Sequence, residues 1–355
     1  MPRGEMSHRL LRLWRLIVGL RKKWLDWTRR SGQIYFHHRV AEYREMWRAV
    51  SEELGGEFTP LADDLWEIEV GSVRTRMHNH QTEFDNPAVL GLAGKKVAVH
   101  QLLARAGLSV PQYAVFSLDD LGRAYRFHEA HPEGCVVKPA NGYGGQGVTT
   151  HLQRRSEVRK AAILASLYDK ELLIEAQIPG ESYRLLIVEG KMVHAVCRRG
   201  PRLKGDGVSA IRKLVETENV RRHGSGEADL DIDRDCLFTL SYQGLSPDSV
   251  VTQGKQFVVK SVNDVARKYS EVRTVYNETV TDLICASIRQ DAECAARLVG
   301  SDFLGVDVIT TDPSVPLHRS GGVINEVNTT PALHHHYDVR SARYPEAALH
   351  VVRAI

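Results

Sequence analysis

One segment narrows the possibilities more than any other: Cys135-Val136-Val137-Lys138-Pro139-Ala140-Asn141-Gly142-Tyr143-Gly144-Gly145-Gln146-Gly147-Val148. A short apolar run with the length of a buried strand ends in a lysine, and four glycines fall within residues 142–147. Glycines let backbone N–H groups wrap anionic oxygens, and the lysine adds a point charge. The pattern reads as a phosphate cradle. It is not GxxxxGK[ST], because the lysine precedes the glycines, nor GxGxxG opening a helix. Taken alone, it reads equally well as a plain turn.

Two further pieces carry chemistry. Ile174-Glu175-Ala176-Gln177-Ile178-Pro179-Gly180-Glu181 is a strand end with an acid, an exposed backbone stretch and a second acid. Such an edge can read a nucleobase through backbone groups and hold ribose hydroxyls on a carboxylate. Gly305-Val306-Asp307-Val308 and Ile324-Asn325-Glu326-Val327-Asn328 form the other. Strand alternation puts Glu326 and Asn328 on one face, with Asp307 on a neighbouring strand. Acids inside apolar strands are costly unless paired or metal-bound. Converging carboxylate and amide oxygens suit Mg²⁺.

At 355 residues the chain is long enough for two domains or one composite. No run of 18 apolar residues occurs. The N-terminus lacks the uninterrupted apolar core and small-residue cleavage site of a secretory signal. Cys135, Cys197, Cys236, Cys285 and Cys294 form no CxxC pair, which predicts free, mostly buried thiols in a reducing cytoplasm. Residues 1–30 carry nine Lys/Arg against Glu5 and Asp26, a net of +7, so the rest of the chain, with 38 basic and 42 acidic residues, is at −4. Residues 8–30 read as a basic amphipathic helix with Leu10, Leu13, Trp14, Ile17, Leu20, Trp24 and Trp27 on one stripe. It suits packing on its own protein or a twin subunit, or else an anionic membrane surface or a partner's groove. A second helix is predicted over about 38–54, and strands around Leu65–Val70, Val73–His78, Cys135–Lys138 and Leu172–Glu175. Leu185–Glu189 and Met192–Val196 read as a hairpin, 218–236 as a mobile surface loop, and 278–299 as a helix ending near Gly300. Val306–Ile309 and Val323–Val327 read as a strand pair. No internal repeat is visible.

Lys96, Lys138 with its glycine loop, Glu175 and Glu181, Asp307, and Glu326-x-Asn328 occur in an order that resembles the ATP-grasp superfamily. The likeness is strongest to the ATP-grasp part of cyanophycin synthetases and to glutathione-synthetase-like ligases. It covers about residues 91–340, with echoes in VVKPANGYGGQGVT, LLIEAQIPGESYRLLIVEGKMVHAV, Lys204-Gly205-Asp206-Gly207 and GGVINEVNTTP. The resemblance implies an α+β ATP-grasp fold: a small α/β lid over a C-terminal antiparallel sheet. The expected organisation is the basic helix (1–32), a short N-terminal subdomain (33–90), a central lid (91–174) and a C-terminal subdomain (175–355).

The resemblance also implies roles. Lys96, Lys138, Asn141, Gly144, Gly145 and Gly147 would hold ATP phosphates, Glu175 and Ile178 the adenine, and Glu181 the ribose. Arg184 and Arg198, with Lys138, would face the transferring phosphoryl group. Asp307, Glu326 and Asn328 would hold Mg²⁺, two ions in all. The implied reaction is ADP-forming carboxylate–amine ligation through an acyl-phosphate, joining an amino acid or peptide to an amine acceptor. The alternative is a non-catalytic or kinase-like module docking through its N-terminal helix. Nucleic-acid binding is not expected, because the basic excess sits on one helix. A homo-oligomer is expected, in the cytoplasm, with peripheral membrane attachment through residues 8–30 as a further option.

The pattern departs from the family in places. Lys95-Lys96 replaces Asp-Lys, His100 stands where a lysine is common, and Ala332 replaces the glycine after Pro331. The chain reaches Ile355 without a Mur-ligase-like domain, so the two-reaction cycle that builds cyanophycin is not expected of it. His334-His335-His336-Tyr337 reads as a polar loop along the cleft wall, and Tyr143 and Tyr183 as packing residues.

Overall fold

The computed structural model describes residues 8–28, 31–84, 86–142, 145–225, 229–261, 277–336 and 346–355. The N-terminal layer comprises α1 (His8–Thr28), α2 (Ser31–Glu53), β1 (Glu57–Pro60), β2 (Leu65–Val70), β3 (Val73–His78) and α3 (Pro87–Ala93). The three strands form an antiparallel sheet in sequence order. α3 starts where the Asn86 side chain accepts from the amides of Ala88 and Val89, with Pro87 in the first turn.

The lid follows: α4 (Lys96–Arg105), β4 (Tyr113–Phe116), α5 (Leu121–Ala130), β5 (Cys135–Pro139), β6 (Thr149–Leu152), α6 (Arg155–Ala165) and β7 (Leu172–Ala176). Its sheet has the order β4-β7-β5-β6, all antiparallel. α5 and α6 bury Leu121, Ala124, Val158 and Ala162 against one face. α1 lies on this lid. Leu11 is buried there, and Arg15 donates to the Ser166 carbonyl at 3.0 Å and to its hydroxyl at 3.2 Å. The helix thus packs on its own protein, but through Leu11, Arg15 and half-buried Val18. The part of the expected apolar stripe within the described side chains, Leu10 to Leu20, stays exposed.

β8 (Glu181–Val188) and β9 (Lys191–Arg198) are the predicted hairpin, lengthened at both ends. Between β10 (Arg202–Lys204) and β11 (Gln256–Val258) lie α7 (Ile211–Ser225) and α8 (Arg234–Tyr242). This insertion has its own core of Ile211, Val215, Leu230, Cys236, Leu240 and Phe257. Most of the expected mobile loop at 218–236 is therefore ordered; residues 226–228 lie outside the described residues. Its polar side chains tie the turn together. The Asn219 amide brackets the Leu230 backbone at 2.8 and 3.2 Å, and Arg222, fully buried, pairs with Glu218 at 3.1 Å.

The chain ends with β12 (Glu278–Thr279), α9 (Ala286–Val299), β13 (Phe303–Thr310), α10 (Leu317–Ser320), β14 (Val323–Thr329) and α11 (Glu346–Arg353). The helix expected from 278 starts only at Ala286, because 278–279 pair with β9 and 281–283 form a 3₁₀ turn. It ends where predicted, on left-handed Gly300. The main sheet runs β12-β9-β8-β13-β14, all antiparallel.

Alternation on this sheet sets up the site. Tyr183, Leu185, Ile187, Val306 and Val308 point to one side, under α9 and α4. Their neighbours point to the other. There Leu186, Val188 and Phe303 are covered by α2, the N-terminal sheet and α11, with Trp47 and Trp66 fully buried. The remaining part of that face carries Arg184, Asp307, Glu326 and Asn328.

Candidate functional site

Register fixes the centre of the site. Asp307 lies opposite Arg184 on β8 and opposite Glu326 on β14, and Gly305 lies opposite Asn328. Gly305 is required: a Cβ there would stand 3.0 Å from Arg184 Cδ and 2.9 Å from Pro331. The Arg184 guanidinium forks onto both oxygens of Asp307, with Nη2–Oδ2 at 2.9 Å. Arg198 approaches Oδ2 at 3.6 Å, and Asn328 Nδ2 donates to it at 3.3 Å. Burial acts most strongly on Asp307 and opposes ionisation. The charges of Arg184 and Arg198 more than offset it and hold the carboxyl below the ordinary range.

The lid contributes from above. Lys138, at the end of β5, pairs with Glu175 of β7 at 2.7 Å, and both are buried. Lys96, in the first turn of α4, donates to the Gly142 carbonyl at 2.6 Å and pairs with Glu326 at 3.2 Å. One lysine thus bridges the glycine loop and β14. His100, one turn on, is buried and bonded through Nε2 to the Asn325 carbonyl at 3.1 Å, with Nδ1 3.8 Å from Glu175. Burial lowers its pKa, against the pull of Glu175.

The structure brings together Lys96, Lys138, Glu175, Arg184, Arg198, Asp307, Glu326 and Asn328. Several site side chains are already committed within the protein. The Glu175 carboxylate is held by Lys138, which leaves the backbone of this strand edge as the part expected to meet an adenine. The Asn141 side chain turns away to Asp169, at 2.6 Å, and anchors the base of the loop. Asp307 is already fully engaged by arginines. Gly145 and Gly147 have positive φ in the described part of the loop, while Gly144 and Tyr143 lie outside the described residues. Half-buried Ile178 lies in the segment that leads into β8. Gly180 there has φ +120° and sits so close to β13 that a Cβ would be 2.2 Å from the Thr310 carbonyl. Glu181 opens β8 and pairs with Arg202 at 2.6 Å, with Arg199 at 3.9 Å.

Arg199, Arg202 and Asp169 are site neighbours that the motifs did not single out. The run Arg198-Arg199-Gly200-Pro201-Arg202 was the available signal for the two arginines. His334–His336 form a 3₁₀ turn in which His335 and His336 are buried, not an open polar loop. Tyr43 bonds His334 Nδ1 at 3.0 Å, and His194 Nδ1 meets His336 Nδ1 at 3.0 Å. Burial, then His194 and the nearby arginines, push His336 well below its usual pKa. Tyr183 packs in the core as expected, and burial raises its hydroxyl to about 12. All five cysteines are free, with Cys135, Cys197 and Cys236 buried. Tyr337 lies outside the described residues.

Four cations (Lys96, Lys138, Arg184, Arg198) face three carboxylates (Glu175, Asp307, Glu326), which leaves one positive charge among these paired groups. Such a site attracts a polyanion. Among the described residues no group of three or more His, Cys, Asp or Glu side chains is placed to hold a metal. A metal here would rest on Asp307, Glu326 and the Asn328 amide oxygen, completed by waters and phosphates. That hard, incomplete oxygen set fits Mg²⁺.

No family model matches the chain. It is 30% identical over 278 residues to the cyanophycin synthetase of Trichormus variabilis, covering 76% of this chain and 30% of that protein. It is 27% identical over 270 residues to the glutathione biosynthesis bifunctional protein of Streptococcus mutans, covering 73% and 35%. The chain thus spans about a third of the length of these relatives. Among solved structures, a bifunctional glutathione synthetase from Pasteurella multocida superposes with a TM-score of 0.55 at 21% identity, covering 86% of this chain and 43% of that one.

Proposed function

Taking the chain as an ATP-grasp superfamily protein, by fold and by sequence likeness, we propose that it is an ADP-forming carboxylate–amine ligase that makes a peptide-like amide. The observation that carries this reading is the set of four cations and three hard oxygen ligands converging between the lid and the main sheet. Lys96, Lys138 and the 141–147 loop hold the phosphates, the backbone around Ile178 holds the adenine, and Glu181 holds the ribose. Glu175 positions Lys138. Asp307, Glu326 and Asn328 would hold magnesium, which would neutralise phosphate charge.

A substrate carboxylate attacks the γ-phosphorus and displaces ADP. An amine then attacks the acyl-phosphate carbon, and phosphate leaves as the amide forms. Arg184 and Arg198 neutralise the charge that develops on the transferring group. The Arg184 guanidinium, forked onto Asp307 here, has the planar donor pair that a γ-phosphate or a substrate carboxylate also fits. The loop excludes water, which would otherwise hydrolyse the acyl-phosphate. The substrates are an amino acid or peptide and an amine. The expected location is cytoplasmic, and a homo-oligomer is part of the same reading.

The test is ADP release from Mg-ATP across pooled amino acids and dipeptides, with Glu326→Ala as control. Release that requires both a carboxylate and an amine, and is lost in the variant, supports the ligase. Release that requires an acceptor but no amine points to a kinase-like module. Absence of ATP binding leaves a non-catalytic one.

A further inference from the structure

α1 presents two faces, and only one is used. Leu11 is 4% exposed against the lid, and Arg15 on the same flank is fixed to Ser166. Leu10, Leu13, Trp14, Ile17 and Leu20 are between 48% and 60% exposed. At the helical repeat they fill one sector of roughly 120°. They are bulky side chains at three- and four-residue steps, turned outward together, and the helix is seated on the protein without them. Such a continuous apolar stripe marks a contact surface. Among the described residues no helix is long and apolar enough to cross a membrane, so the stripe is not part of a span.

We propose that this face of α1 lies on an anionic lipid bilayer, in the interfacial plane, while the flank carrying Leu11 and Arg15 stays on the lid. Charge selects lipid over a second copy. Residues 1–30 carry nine basic and two acidic residues. The helix itself, with six basic residues and one acidic, carries +5, so pairing two such helices would bring +5 against +5. An anionic surface neutralises that charge, and Leu and Trp side chains on one stripe beside Arg residues suit the boundary between headgroups and acyl chains. The body, at −4, is turned away from such a surface by the same field. Docking would hold the lid side of the protein at the membrane.

The test is co-sedimentation of the full chain with vesicles of phosphatidylcholine alone or mixed with phosphatidylserine, together with a Leu13→Glu/Ile17→Glu variant. Both changes sit on the exposed face, so the melting temperature should be unchanged. Wild type should pellet with anionic vesicles, less with neutral ones and less as salt rises, and the variant should lose about tenfold or more in partitioning. Trp14→Phe, which keeps the stripe apolar, should still bind and should lose part of the tryptophan quenching caused by brominated lipid. Wild type left in the supernatant with both vesicle types overturns the proposal, and so does equal binding by the Glu variant. If wild type ignores vesicles but is a dimer that the Glu variant converts to monomer, the stripe is covered by a second copy instead.

Discussion

The Lys138–Glu175 pair offers a perturbation whose magnitude follows from burial. Lys138 is 4% exposed and Glu175 2%, and Nζ–Oε2 is 2.7 Å. Among the described residues the other Glu175 oxygen has no hydrogen-bond partner, and His100 stands 3.8 Å away. Lys138→Met therefore leaves a carboxylate buried with nothing to compensate it. Breaking such a pair from one side costs about 3–5 kcal/mol. With an unfolding entropy of about 2.1 cal/mol/K per residue, that is a fall in melting temperature of about 4–7 °C for 355 residues. Replacing both partners, Lys138→Met with Glu175→Leu, removes the stranded charge and should recover most of the loss. Nucleotide binding should fail in both variants, because both lack the lysine. Calorimetric melting and urea titration read the stability, and fluorescent-nucleotide titration reads the binding. A single variant that loses less than about 1 kcal/mol, as an exposed ion pair would, refutes the reasoning. So does a double variant as unstable as the single one.

Asp307 stabilises the fold while ionised, because the arginines hold its pKa down in spite of burial. That contribution is complete above the unfolded pKa of about 4 and is lost as pH falls through the lower folded value. Asp307→Asn is therefore expected to flatten the decline of stability below about pH 4, read by urea melts across pH. Gly180→Ala puts a Cβ 2.2 Å from the Thr310 carbonyl at a φ of +120°. It should cost about 1–3 kcal/mol and raise the KM for ATP. Leu240→Ala, at a fully buried position of the insertion core, should cost about 2–5 kcal/mol locally. Hydrogen exchange should rise over 211–242 and not over 181–198.

Where one residue's environment comes from its own strand, the sequence was readable. Asp307, Glu326 and Asn328 follow from period-two alternation, and the strand pair that carries them was identified on that ground. The lysine and glycine loop read as a phosphate cradle, and the expected lid around it came only from the family resemblance. What the sequence hid lies across strands or within small cores. The partner of Glu175 is on β5, brought alongside only by the order β4-β7-β5-β6. The Arg184–Asp307 fork spans 123 residues of chain. The helices at 211–242 were masked by charge and by Gly224 and Gly226, since a core of a few residues leaves little apolar periodicity. The stripe on α1 was visible, but not that it would face outward, because the flank it packs with contains Arg15.

The central claim is that a substrate carboxylate is phosphorylated before an amine displaces the phosphate. It is tested most directly by supplying carboxylate-¹⁸O-labelled amino acids and peptides with Mg-ATP and an amine, and measuring the label in released phosphate by mass spectrometry. The account predicts one labelled oxygen per phosphate, dependent on the amine and absent in Glu326→Ala. Phosphate released without label, alongside ATP turnover, would contradict it.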